Sequence, residues 1–174
     1  TLSGGEPLLQ PQFAKEILAQ CKDRRLHTVL DTCGYCEWRV FESLLRYVDL
    51  VLYDVKMIDP QKHRRFTGVS NDVILANVSK LAEMGKKMIL RLPIVPAHND
   101  SMEDISQMIA FCQRLCGNGS VVGVDLLPYH KYAQSKYRAF GKPYSLDKLE
   151  PPTEEKIEAI KKAFEGKKIK VKVD

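Results

Sequence analysis

Short apolar runs alternate with amphipathic helical stretches along this chain, and that alternation constrains the fold more than any other feature. Leu50-Val51-Leu52-Tyr53 is a continuous apolar run, the pattern of a strand covered on both faces, where polar and apolar positions no longer alternate. It stops abruptly at Asp54-Val55-Lys56. Comparable β-prone runs occupy His27 to Leu30, Lys87 to Val95 and Val121 to Leu127. Between them, apolar residues recur at helical spacing: Phe13, Ile17, Leu18 and Cys21; then Trp38, Phe41, Leu44, Leu45 and Val48; then Ile74, Val78, Leu81 and Ala82. Two more such stripes follow, Ile105 to Cys116 and Ile157 to Phe164. Pro11, the pair Asp59-Pro60 and the box Ser101-Met102-Glu103-Asp104 mark helix starts.

Repeated β-α alternation with doubly covered strands implies an α/β fold with a parallel sheet and right-handed crossovers, either doubly wound or curved into a barrel. Both architectures build their sites at the carboxyl ends of the strands. Polar groups stand there four times: Gly4-Gly5-Glu6, Asp31-Thr32, Asp54-Val55-Lys56 and His130. Arg91 lies inside an apolar strand and requires a partner. A complete eight-stranded barrel takes about 250 residues. Four good strands, a truncated one at the start and an alternating tail at Ile169, Val171 and Val173 predict a partial barrel. Residues 1–174 read as one domain.

Composition excludes several classes. The chain of 174 residues is 44% hydrophobic and 28% charged, with no low-complexity tract and no solenoid repeat. No apolar run approaches the roughly 20 residues of a membrane span, and no signal peptide is evident, so no membrane partner is expected and the cytoplasm is the simplest address. Five cysteines, an odd count, argue against a disulfide framework. The net charge of +5 concentrates in the last helix and tail, which reads as a solvated face rather than a nucleic-acid site. The start at Thr1, in what reads as the end of a strand, predicts a fragment.

Taken alone, the strand-end groups leave alternatives open. Ser3-Gly4-Gly5-Glu6-Pro7 is equally a structural turn or a loop that lets a ligand approach the backbone. Asp31 could cap a helix, Lys56 could be a surface lysine, and His130 a satisfied loop histidine. Cys33 and Cys36 have the spacing of half a zinc site, but the other half is missing, because Cys112 and Cys116 sit at helical spacing on an apolar face. Basic and aromatic residues mix between His130 and Tyr144, as in an RNA-binding stretch.

Five strings in order give the chain a resemblance to a family. Thr-Leu-Ser-Gly-Gly-Glu-Pro-Leu-Leu-Gln at 1–10, Leu-Asp-Thr-Cys-Gly-Tyr at 30–35, Asp-Val-Lys at 54–56, Thr-Gly-Val-Ser-Asn at 67–71 and Leu-Leu-Pro-Tyr-His at 126–130 resemble the pyruvate formate-lyase activating enzymes. These are radical S-adenosylmethionine (SAM) enzymes that activate glycyl radical enzymes. The resemblance implies a partial (β/α)6 TIM-like barrel, here truncated at its amino end, holding SAM and a 4Fe-4S cluster. Reductive cleavage of SAM there gives a 5′-deoxyadenosyl radical, which takes a hydrogen atom from a glycine of a partner such as pyruvate formate-lyase. It further implies an electron donor such as flavodoxin or ferredoxin, and neither a nucleic-acid nor a membrane partner.

Residue by residue, the resemblance assigns Gly4, Gly5 and Glu6 to the loop at the SAM amino group. Asp31 and Thr32 fall beside the methionine carboxylate and a monovalent cation, with Val55 and Met57 alongside. Asp54 and Lys56 become a strand-end pair near the same part of SAM, Arg91 a buried arginine facing the pocket, and His130 a residue at the nucleoside end. The segment after His130 becomes a partner contact or pocket cover. The family's cluster motif, Cys-x3-Cys-x2-Cys, does not occur in the sequence. The cluster cysteines are therefore expected upstream of Thr1, with no metal ligand and no catalytic residue inside the chain, which is expected to be inactive alone. Two rivals remain: a radical SAM enzyme acting on a small molecule, and a non-catalytic nucleotide- or RNA-binding module.

Overall fold

The computed structural model describes residues 1–117 and 119–174, with Lys136 described by its backbone alone. Five parallel strands, β1 (Val29–Thr32), β2 (Leu50–Asp54), β3 (Met88–Ile94), β4 (Val121–Pro128) and β5 (Val171–Val173), form one sheet in sequential order. A single parallel bridge from Leu2 to Leu30 extends it beyond β1. Helices α1 (Pro11–Asp23), α2 (Trp38–Leu45), α3 (Pro60–Thr67), α4 (Asp72–Glu83), α5 (Met102–Cys116), α6 (Ala133–Ala139) and α7 (Glu154–Glu165) fill the connections.

Strand order decides between the two architectures. A doubly wound sheet reverses its order at a switch point; this one runs β1 to β5 without reversal. Crossovers of one hand between consecutive neighbours put every helix on the same face, which is the arrangement of a barrel segment. Burial follows: Val51 and Tyr53 of β2, Leu90 and Leu92 of β3, and Leu126 of β4 are 0% exposed and form the core with Phe41, Leu44, Val78 and Leu81 of the helices. The alternate residues Asp31, Asp54, Arg91 and Asp125 point to the other face, where they are half-buried.

Helix starts are where the capping residues stand. Asp59 accepts from the amides of Gln61 and Lys62, Ser101 from Asp104, and Thr153 from Lys156. Each satisfies donors that a helix leaves unpaired in its first turn. Among the described residues no helix is long and apolar enough to cross a membrane. Three elements have no counterpart in the periodicity: α3, signalled by its Asp59-Pro60 start alone, a 3-10 turn at Pro7–Leu9, which Glu6 caps through Leu8, and α6.

Candidate cofactor site

Eight of the ten residues singled out in the sequence line one cavity of about 390 Å³ at the carboxyl ends of β1 to β3: Gly4, Gly5, Glu6, Asp31, Thr32, Asp54, Lys56 and Arg91. Period two explains why Val55 is not among them. Asp54 and Lys56 face the cavity, so Val55 between them turns to the helix side, where it is 0% exposed. His130 also stands apart. It is exposed, its Nδ1 accepts the Tyr132 amide at 3.2 Å, and its ring packs on that of Tyr132 at 4.2 Å.

The glycine loop is bound to the strand ends by its own glutamate. Glu6 Oε1 accepts from Thr32 Oγ1 at 2.6 Å and from the Leu8 amide at 3.0 Å, while Oε2 accepts from the Cys33 amide at 2.9 Å. Those bonds fix the carboxylate and leave only part of its accepting capacity for a ligand. Gly4 has φ +132° and open space where a side chain would begin, so the backbone can be approached closely.

Arg91 finds the partner its position demanded. Its Nη1 donates to Asp31 Oδ1 at 2.8 Å, and Ser3 Oγ donates to Asp31 Oδ2 at 2.7 Å. Asp54 is less well served. Its Oδ2 lies 3.5 Å from Lys56 Nζ and its Oδ1 3.9 Å from Arg91 Nη1, and Oδ1 is buried without a hydrogen bond. Burial raises the Asp54 pKa, against the pull of Lys56 and Arg91 and with the help of neighbouring Asp31. A carboxylate lining the cavity thus keeps one buried oxygen that no protein hydrogen bond satisfies.

The adjacent thiols are held protonated. Burial and Glu6 push Cys33 up to about 11, and burial, again with Glu6, brings Cys36 to about 11, so both are protonated at neutral pH. Among the described residues no group of three or more His, Cys, Asp and Glu is placed to hold a metal ion.

The sequence reading missed two kinds of residue at this rim. Three buried asparagines hold the loop carbonyls: Asn77 donates to Gly34 and Cys36, Asn71 to Met57 and Ile58, and Asn99 to Lys56 and Pro93. Asp125 is the second. In register it follows Asp54 and Arg91 and precedes Lys172, giving four strands a row of alternating charge. Its position five residues before His130, on the face opposite Val124 and Leu126, was a readable signal.

The sequence profile of the Radical SAM superfamily matches residues 1–111. The trans-4-hydroxy-L-proline dehydratase activating enzyme of Clostridioides difficile is 39% identical over 176 residues, covering 99% of this chain and 57% of that enzyme. The choline trimethylamine-lyase activating enzyme of Oleidesulfovibrio alaskensis is 40% identical over 147 residues, covering 84% of this chain and 47% of that one. The chain therefore spans about half the length of the curated relatives it matches. A solved domain of a pyruvate-formate lyase-activating enzyme from Bacteroides vulgatus superposes with a TM-score of 0.82 at 26% identity, covering 99% of this chain and 96% of that one. A strand-end cavity on a sequentially ordered parallel sheet and a profile match over more than half the chain agree: this protein belongs to the radical SAM superfamily.

Proposed function

We propose that this chain is the SAM-binding part of an activase that installs a glycyl radical on a partner enzyme. One observation carries the reading: five charged side chains from four separate segments, Glu6, Asp31, Asp54, Lys56 and Arg91, meet in a single cavity at the carboxyl ends of three strands. SAM presents an ammonium, a carboxylate and a sulfonium together, and a pocket for it needs acids and cations side by side.

The residues present fit that ligand. Asp54 Oδ1, buried and unpaired, suits a cation or an ammonium hydrogen, which would relieve the cost of leaving a buried acceptor empty. Lys56, 40% exposed at its side chain, suits the carboxylate. The open backbone at Gly4 and Gly5 suits close approach of the methionine end. With a 4Fe-4S cluster and SAM in place, the pair supplies one-electron cleavage and hydrogen-atom abstraction; this chain's own residues bind and orient. Its thiols, all unpaired, lack the Cys-x3-Cys-x2-Cys spacing that would hold the cluster.

The partner on this reading is a glycyl radical enzyme; relatives that match most of this chain are named as activating enzymes of a dehydratase, a lyase and a decarboxylase, which supports an enzyme as the partner. Pyruvate formate-lyase is one such partner, reached through the Bacteroides vulgatus domain; a flavodoxin or ferredoxin would deliver the electron, in the cytoplasm. His130 at the nucleoside end remains part of the proposal; here its ring packs on that of Tyr132.

The test uses the parent protein with its cluster. Lys56→Ala is expected to weaken SAM binding by about tenfold or more, the loss of a charge-assisted contact, with iron and sulfide content unchanged. Equal loss of iron and SAM, by metal analysis and calorimetry, would mean that Lys56 acts through folding and that the cavity is not the SAM site.

A further inference from the structure

Lys56 is a long side chain at a strand end, and something must decide where it points. Sheet bonding between β2 and β3 runs out just before it: the last paired residues are Asp54 and Arg91, and the last backbone bond is from the Val55 amide to the Arg91 carbonyl at 2.9 Å. Asn99, in the loop between β3 and α5 and 1% exposed, takes over from there. Its Nδ2 donates to the Lys56 carbonyl at 2.7 Å and to the Pro93 carbonyl at 2.6 Å, and its Oδ1 accepts the Val95 amide at 2.7 Å. One amide thus uses three of its four hydrogen-bonding positions to join the ends of two strands and the start of the following loop.

The joint stands on a boundary. Lys56 lines both the 390 Å³ cavity and a second one of about 570 Å³ on its other side. Among the described residues its side chain has one ion-pair contact, the 3.5 Å approach to Asp54, and an ion pair that exposed supplies little orientation. The backbone must supply the rest. We infer that Asn99 is a positioning residue for Lys56, holding its backbone so that the ammonium stands on the Asp54 side of the boundary instead of swinging into the larger cavity. This inference rests on the SAM reading of the smaller cavity.

Asn71 provides the control, because it does the same structural work one residue further on. It is 1% exposed and donates to the Met57 and Ile58 carbonyls at 2.8 and 2.9 Å, but it makes no bond to Lys56. If buried asparagines only hold this loop together, Asn71→Ala and Asn99→Ala should have the same consequences. The positioning role separates them.

The experiment measures SAM affinity by calorimetry and melting temperature in the cluster-bearing parent. Asn99→Ala is expected to weaken SAM about tenfold and Asn71→Ala less than about twofold, although both lower the melting temperature. Asn99→Asp keeps the shape and the acceptor for Val95 but loses both donors, and should match Asn99→Ala. In a Lys56→Ala background, Asn99→Ala should add almost nothing, since contacts that act through one residue are not additive. Equal SAM losses in the two asparagine variants, or an undiminished Asn99→Ala effect without Lys56, would overturn the inference. So would a failure of both Asn99 variants to fold while Asn71→Ala folds. A parent that fails to bind SAM at all would instead overturn the reading beneath it.

Discussion

Two carboxylates five residues apart, at opposite ends of the same strand, are treated in opposite ways. Asp49, just before β2, accepts from Lys22 Nζ at 2.7 Å, from the Thr28 amide at 2.8 Å and from Thr28 Oγ1 at 3.0 Å. Lys22 and Thr28 together hold it well below the usual carboxylate range. Nearby Lys86 likewise gives two of its three donors to the carbonyls of Leu45 and Val48. Asp54, closing the strand, keeps an oxygen with no hydrogen bond and a raised pKa. Protein groups finish the amino end and leave the carboxyl end incomplete. Unsatisfied buried acceptors are uncommon in folded proteins, so the difference separates a carboxylate that the fold satisfies from one that it leaves with an unpaired oxygen, as the proposed ligand site requires.

Glycines at the two ends sharpen this contrast with the largest expected effect. Gly34, in the loop after β1, has φ +68°, and a Cβ there would stand 2.0 Å from the Tyr53 hydroxyl, itself bonded to the Ile74 carbonyl at 2.7 Å. Gly85, at the amino end before β3, has nearly the same φ, +69°, but open space around it. Gly85→Ala should cost about 1 kcal/mol, the conformational strain alone. Gly34→Ala adds a clash with a fully buried ring and should cost about 3 kcal/mol or more. Urea unfolding measures both. Equal losses would mean that Tyr53 moves aside freely and that the site rim is not rigid.

The carboxylates themselves come next, with opposite signs. A pKa lowered by folding adds stability above the unfolded value, about 4 for an aspartate, and loses it as pH falls through the folded value. Asp49→Asn should therefore cost roughly 1–2 kcal/mol at pH 7 after allowance for its partial exposure, a gap that narrows below about pH 4. A raised pKa works the other way: the folded state prefers the proton, so the contribution of Asp54 is favourable in acid and is lost as pH rises. Without a ligand, Asp54→Asn should be neutral or stabilising by up to about 1 kcal/mol at pH 7, since Arg91 retains Asp31. Thermal unfolding across pH 3 to 7 checks both. Destabilisation by Asp54→Asn at pH 7 would show that Asp54 is as structural as Asp49.

Much of this was legible in the sequence, for a definite reason. Strand and helix positions follow from apolar period, and β2 at Leu50–Asp54 lies within a residue of the run Leu50 to Tyr53. Asp31, Asp54 and Lys56 could be placed at strand ends because a polar residue ends each apolar run. What failed to show depends on contacts remote in sequence. Asn77 lies in an amphipathic helix, and its partners Gly34 and Cys36 are more than 40 residues away; nothing local distinguishes such an asparagine from a tolerated one. Asp125 required the register of β4 against β3. The helix Ala133–Ala139 was hidden because its one tyrosine, among polar residues and cations, makes no apolar stripe.

The smallest effect concerns Cys33 and Cys36, and it should leave stability untouched. Thiolate is the reactive form, and a pKa of about 11 for either thiol against an ordinary 9.0 lowers the thiolate fraction at pH 8 by about a hundredfold. Burial is the largest cause at both positions, and Glu6 contributes through a hydrogen bond to Cys33 and through its charge to both. Iodoacetamide should accordingly label these two cysteines far more slowly than a free thiol at pH 8, with rates that keep rising towards pH 11, as mass spectrometry of the digested protein would record. Glu6→Gln removes the charge and keeps one acceptor oxygen, enough for the Thr32 and Leu8 donors at one carboxylate position but not also for the Cys33 amide at the other. It should speed labelling at both sites by shifting the rise to lower pH, whereas a barrier due to burial alone would leave the profile unchanged. Rapid labelling of wild-type protein at pH 8 would instead place reactive thiolates beside the cavity, and the carboxyl end of the sheet would then have a nucleophile that the present contrast between its two ends denies it.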